Sequence, residues 1–160
     1  MAENFVSKDI IVVSVGYDLA PQVTLTEIIN QVQNGFAEVL KYSNGSDVYI
    51  LGHSAGSHLV STIIHSKRFI GKLKDVKGFF LISGLYDVRP IIECWPNYNL
   101  KLTLDEATQS SPILSEVLSF SDDEKKKIRV IVNFAENDTI SFRNQSKNYA
   151  AVSFILYFNS

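Results

Sequence analysis

Gly52-His53-Ser54-Ala55-Gly56 sets one serine between two glycines, directly after the apolar run Val48–Leu51 and ahead of a segment with helical spacing. A serine on such a strand-to-helix turn has its hydroxyl pushed out above the sheet, and the glycines let strand and helix come close. The hydroxyl becomes a useful nucleophile only when a base takes its proton. The pattern therefore asks for a carboxylate and a histidine further along, in the order Ser, Asp or Glu, His. The bland alternative is a tight strand-to-helix turn whose serine caps the next helix, which needs neither glycine so strictly.

Asp138 is the candidate acid. It closes the polar turn Ala135-Glu136-Asn137-Asp138 after the apolar run Ile128–Phe134, which puts a carboxylate at the carboxyl end of a strand. Capping of the following helix is its structural alternative, and Glu136 is a weaker rival for the acid. No histidine follows Asp138; the three in the chain are His53, His58 and His65. His53 is expected to face a neighbouring strand or loop and His58 to pack rather than reach back to Ser54. His65, near the helix end, suits the negative end of the helix dipole. An oxyanion developing at Ser54 needs two donors, one of them the backbone amide of Ala55 and the other from an upstream loop. Met1–Asp9 hold no glycine or histidine for that second role.

These residues need a scaffold that brings strand ends together. Ile10–Val15 is short, β-branched and apolar, and predicts a strand covered on both faces. Thr24 can cap a helix whose apolar residues Leu25, Ile28, Ile29, Val32, Phe36, Val39 and Leu40 recur at helical spacing up to Asn44-Gly45. Further strands are predicted over Val48–Leu51, Val76–Ser83 and Ile128–Phe134, and helices over Ala55–Ile64 and Phe142–Val152. The apolar ending Ala150–Phe158 reads as a strand or a ragged end. Strands alternating with helices predict one α/β domain over residues 1–160, with a mostly parallel sheet between helices and ligands outside the carboxyl ends of the strands. Residues 87–127 loosen into an excursion over the sheet edge that is expected to roof a pocket. Within it, Asp122–Lys127 predicts a solvated helix with acids at its positive end.

Of the 160 residues 46% are hydrophobic and 20% charged, enough for a sizeable core. A net charge of -2 offers no basic footprint for nucleic acid or an anionic membrane and suits a small neutral or anionic organic substrate. Ala150–Phe158 is too short to span a bilayer, which takes roughly 20 apolar residues. The single Cys94 and the lack of a charged, apolar leader predict a reducing, cytoplasmic setting, with the nucleus also open to it. Trp95 suits either an aromatic pocket or packing. Oligomeric state is left open, a homo-oligomer included.

Several segments together carry a family resemblance. Gly16-Tyr17-Asp18-Leu19-Ala20-Pro21, Thr24-Leu25, Gln31-Val32 and the elbow extended through Ser57-His58-Leu59 resemble the kynurenine formamidases (arylformamidases) of the α/β-hydrolase superfamily. Gly78-Phe79-Phe80-Leu81-Ile82-Ser83-Gly84, Tyr86-Asp87 and Pro90-Ile91 continue the likeness, and Leu102-Thr103-Leu104 with Ser110-Ser111-Pro112 resembles the family's lid. Asp138, followed by Phe142 and Gln145-Ser146, falls where the family's aspartate falls. The resemblance implies an α/β-hydrolase fold, incomplete here, and hydrolysis of N-formyl-L-kynurenine to L-kynurenine and formate in tryptophan breakdown, without metal or organic cofactor. It also implies the roles: Ser54 attacks, Asp138 orients a histidine, and the Ala55 amide holds the oxyanion. The family's His-Gly-Gly loop and its histidine have no counterpart in these residues, so impaired turnover is expected of the chain by itself. A carboxylesterase of the hormone-sensitive-lipase type shares the elbow and the Tyr17–Pro21 segment. A non-catalytic hydrolase-like binding protein is the reading from a different class.

Overall fold

A computed structural model describes residues 2–116, 120–152 and 156–157 of the chain. Its centre is a parallel sheet of β1 (Val48–His53), β2 (Val76–Ile82), β3 (Arg129–Asn133) and β4 (Leu156–Tyr157), ordered β1-β2-β3-β4. All the pairings are parallel, so each strand delivers its carboxyl end to the same edge, which is what the alternating sequence pattern predicts. β2 has a strand on either side, and its Val76, Phe79 and Leu81 are fully enclosed.

Helix α1 (Ala2–Val6) is short and exposed, whereas α2 (Leu25–Ser43) is the longest helix described. Thr24 and Glu27 form a capping box at its start, and Asn44 in the left-handed conformation ends it. The apolar stripe of α2 puts Ile28, Val32 and Phe36 into the core, beside Leu59, Val60, Ile63 and Ile64 of α3 (Ala55–Ile64). Burying each such side chain stabilises the fold by about 1.5–3 kcal/mol before chain entropy is counted. Helix α7 (Ile140–Val152) packs on β3 and β4 and adds Tyr149 and Ala150 to the same core.

Ile10–Val15 departs from its expected strand. These residues pair with no strand, and Ile11 is 77% exposed. A buried parallel strand requires a hydrogen-bonded neighbour, and a cleft of about 430 Å³ lies between this segment and β1, lined by Ile10, Val13, Tyr49, Leu51 and Leu59 among others. The segment is fastened instead to α2. Gly35 lies so close to Val15 that a Cβ there would meet its Cγ1 at 2.6 Å, and Gln31 exchanges two hydrogen bonds with Asp18 at 2.8 and 3.0 Å.

The excursion after β2 folds into short 3-10 turns at Arg89–Glu93 and Pro112–Leu114 and two small helices, α4 (Asn97–Leu100) and α5 (Leu104–Gln109). It makes its own small core from Val88, Leu102 and Ala107 with Leu25 of α2. Trp95, at 84% exposure, does not take the packing role.

α6 (Asp122–Lys127) carries acids first and lysines last, with a Ser121–Glu124 capping box, as expected. Glu124, however, is buried rather than solvated: its Oε1 accepts the Leu73 amide at 2.7 Å and its Oε2 accepts the Ser121 amide at 2.8 Å. Glu124→Ala leaves the Leu73 donor without an acceptor and is expected to lower unfolding free energy by about 2 kcal/mol, read by urea denaturation.

Candidate active site

The site begins at Gly52, where β1 turns into α3. A Cβ on Gly52 would stand 2.5 Å from the Gly56 carbonyl carbon and 2.7 Å from the Ser57 amide nitrogen, so only glycine permits this approach. Gly56 is different: a Cβ there would meet nothing within 4 Å, and the closeness of strand and helix rests on Gly52 alone. The turn leaves Ser54 at φ 54°, ψ -118°, strained for a residue with a side chain. Its hydroxyl makes no capping bond to α3, so the plain-cap reading of the motif fails.

Two bonds anchor this turn to the neighbouring strand. The Ser54 amide donates to the Ile82 carbonyl at 2.9 Å. The Ser57 hydroxyl, fully buried, accepts the Ile82 amide at 2.8 Å and lies 2.7 Å from the Gly52 carbonyl, so one side chain ties the ends of β1 and β2. Ala55 opens α3 and is exposed, and a first-turn amide has no carbonyl four residues back to bond. A free donor beside the Ser54 hydroxyl is what an oxyanion there would require.

Asp138 stands two strands away, after β3. Its Oδ2 accepts the Ser83 hydroxyl at 2.6 Å and the Ala135 amide at 2.9 Å. Neither bond caps α7, where Thr139 Oγ1 lies 3.5 Å from the Phe142 amide. Glu136 is exposed and makes no side-chain hydrogen bond among the described residues, so only Asp138 is built into the strand ends. Ser54 and Asp138 are thereby linked through the peptide Ile82-Ser83: the Ile82 carbonyl accepts the Ser54 amide, and the Ser83 hydroxyl bonds the Asp138 carboxylate.

The histidines lie elsewhere. His53 is exposed at the end of β1. His58 is buried, with Nε2 2.7 Å from the Ser110 carbonyl, an acceptor that fixes the proton on Nε2. His65 puts Nε2 2.9 Å from the Tyr149 hydroxyl, and Tyr149 stacks on Tyr86 with centroids 4.1 Å apart. Burial holds His58 below its ordinary value of 6.5, with the bond to Ser110 opposing. Because the folded value is the lower one, the unfolded chain binds the extra proton first. Stability from this group is complete above about pH 6.5 and falls, by up to about 1.4 kcal/mol per unit, as pH drops from there toward the folded value. Urea unfolding at pH 7.5 and 5.5 is expected to show a steeper loss for the wild type than for His58→Gln, which keeps an N–H donor but cannot titrate.

Gln145 of α7 completes the frame. Its Oε1 accepts the amides of Tyr86 and Asp87 at 2.7 and 2.9 Å, and its Nε2 donates to the Asp87 carbonyl at 3.1 Å. Motif and spacing do not disclose the roles of Ser57, Ser83 and Gln145. All three stand inside the segments of resemblance, but only the folded register shows what they bond.

Residues 3–152 match the family model for the alpha/beta hydrolase fold, and the chain belongs to that family. Within it, the chain is 36% identical over 151 residues to the kynurenine formamidase of Salmo salar, a match covering 93% of this chain and 51% of that protein. It is 35% identical to the Danio rerio enzyme of the same name, with the same coverage, and 31% identical to that of Drosophila melanogaster over 144 residues, or 85% and 47%. The chain thus spans about half the length of these relatives. Solved structures give the same fold: a Silicibacter protein described as a thioesterase superposes with a TM-score of 0.79 at 22% identity, covering 91% of this chain and 53% of that one. An esterase of Pyrobaculum calidifontis gives 0.56 at 19% identity, covering 89% and 54%.

Proposed function

We propose that these residues carry the nucleophile and acid of a kynurenine formamidase, which hydrolyses N-formyl-L-kynurenine to L-kynurenine and formate in the cytosol. The observation that carries the reading is the uncapped Ser54 elbow joined through Ile82-Ser83 to the Asp138 carboxylate. The names of the relatives supply the substrate.

Ser54 Oγ attacks the formyl carbon while an imidazole takes its proton, and the carbonyl oxygen becomes an oxyanion at the Ala55 amide. Collapse breaks the C–N bond, the imidazolium hands its proton to the leaving aniline nitrogen, and L-kynurenine departs. Water then attacks the formyl ester, the same imidazole again passing the proton, and formate leaves Ser54 free. Asp138 holds the imidazole N–H. The order of the triad places that imidazole after Asp138, where this sequence has no histidine, and His58 and His65 are bonded elsewhere, so the role of base is assigned to no residue of this sequence.

Added imidazole can stand in for it. The chain is expected to release formate from N-formyl-L-kynurenine in its presence, and faster than it cleaves a simple aliphatic ester relative to imidazole in free solution. Cleavage of the ester with N-formyl-L-kynurenine untouched would give the site to an esterase instead.

A further inference from the structure

We infer that Ser83 is the positioning residue for Asp138, fixing the carboxylate so that Oδ1 is left to receive the imidazole. The inference rests on the dyad proposed above and adds a residue to it. Ser83 directly follows β2 at φ 50°, is 5% exposed, and donates its amide to the Asn133 carbonyl at 2.8 Å. Holding a non-glycine residue in that region costs on the order of 1–3 kcal/mol and persists only where the surroundings impose it. Glycine would sit there without strain, so the hydroxyl needs another reason to be present.

Its bond supplies one. At 2.6 Å the Ser83 hydroxyl to Asp138 Oδ2 contact has the length of a charge-assisted O–H···O⁻ bond. The Ala135 amide fills the same oxygen at 2.9 Å from a second direction. Two donors on Oδ2 stop rotation of the carboxylate, and among the described residues Oδ1 accepts no hydrogen bond. The strand pairing does not need this hydroxyl, because β2 and β3 are already joined through their backbones from Gly78–Arg129 to Ile82–Asn133. Ser83 also follows Ile82, whose carbonyl takes the Ser54 amide. A single peptide thus sets the nucleophile's backbone on one side and the acid's orientation on the other.

The test is p-nitrophenyl acetate hydrolysis by the full chain at graded imidazole, counting only the part lost in Ser54→Ala. Ser83→Gly removes the hydroxyl and relieves the backbone, so folding is retained and checked by thermal melting. The half-saturating imidazole concentration is expected to rise about tenfold in Ser83→Gly, the loss of about 1.4 kcal/mol of binding. Ser83→Thr, which keeps a hydroxyl, is expected to restore it, and Asp138→Asn combined with Ser83→Gly to be no worse than Asp138→Asn alone. An unchanged half-saturation in Ser83→Gly, with Asp138→Asn impaired, overturns the role of Ser83 and leaves the dyad standing. An unchanged half-saturation in Asp138→Asn overturns the dyad itself.

Discussion

Ser54→Ala is expected to bring imidazole-supported turnover down to the rate of imidazole in free solution, a fall of at least about a hundredfold, the low end of what a positioned acid–base pair contributes. In a subtilisin, where all three triad groups are in place, losing the serine costs about a millionfold in turnover, but here the base is supplied from solution and the starting rate is lower. The variant's fold should not suffer, because the Ser54 hydroxyl makes no bond to α3 and the turn is held by the backbone bond to Ile82. Ser54→Gly sharpens the point. At φ 54° glycine relieves strain, so this variant is expected to be as inactive as alanine and more stable by about 1 kcal/mol in urea unfolding. A side chain kept at a strained position where its removal stabilises the fold is held there for its chemistry.

Gly52→Ala is expected to have the largest effect on stability. The added methyl would stand 2.5 Å from the Gly56 carbonyl carbon and 2.7 Å from the Ser57 amide, both backbone atoms that no rotamer change can move. Relief requires α3 to shift away from β1. That shift breaks the contact of the Ser57 hydroxyl with the Gly52 carbonyl and its bond from the Ile82 amide, and displaces Ser54. A loss of about 3 kcal/mol is expected, the upper range for overpacking, together with loss of turnover. Gly56→Ala, with open space around it, is expected to gain up to about 1 kcal/mol, because glycine and alanine differ there mainly in helix propensity, which favours alanine. Thermal melting of the two variants side by side checks the contrast.

Most of the fold can be read from the sequence because its signals are local. The run Val48–Leu51, the glycine-flanked serine and the stripe from Leu59 to Ile64 each report on a few residues, and β1, the elbow and α3 form where they predict. Thr24, and the acids followed by lysines over Asp122–Lys127, announce helix starts in the same way. Ile10–Val15 shows where local reading stops. Its composition suits a strand, but a strand exists only with a partner, and the nearest edge lies across the cleft. Glu124 is legible as part of an acidic helix start but not as the acceptor of Leu73, 51 residues away. The candidate site divides similarly: Ser54, Ala55 and Asp138 are candidates by motif and order, whereas the role inferred for Ser83 rests on a positive φ and a bond across 55 residues that no spacing encodes.

Whether Ser54 itself takes the formyl group from N-formyl-L-kynurenine can be read by rapid acid quench of the chain with that substrate and imidazole, followed by mass spectrometry of the peptide containing Gly52-His53-Ser54-Ala55-Gly56. One formyl group on Ser54, appearing before steady turnover and absent from Ser54→Ala, is the expected result. Formate release that proceeds without any formyl group on Ser54, or equally well in Ser54→Ala, would contradict the proposed mechanism.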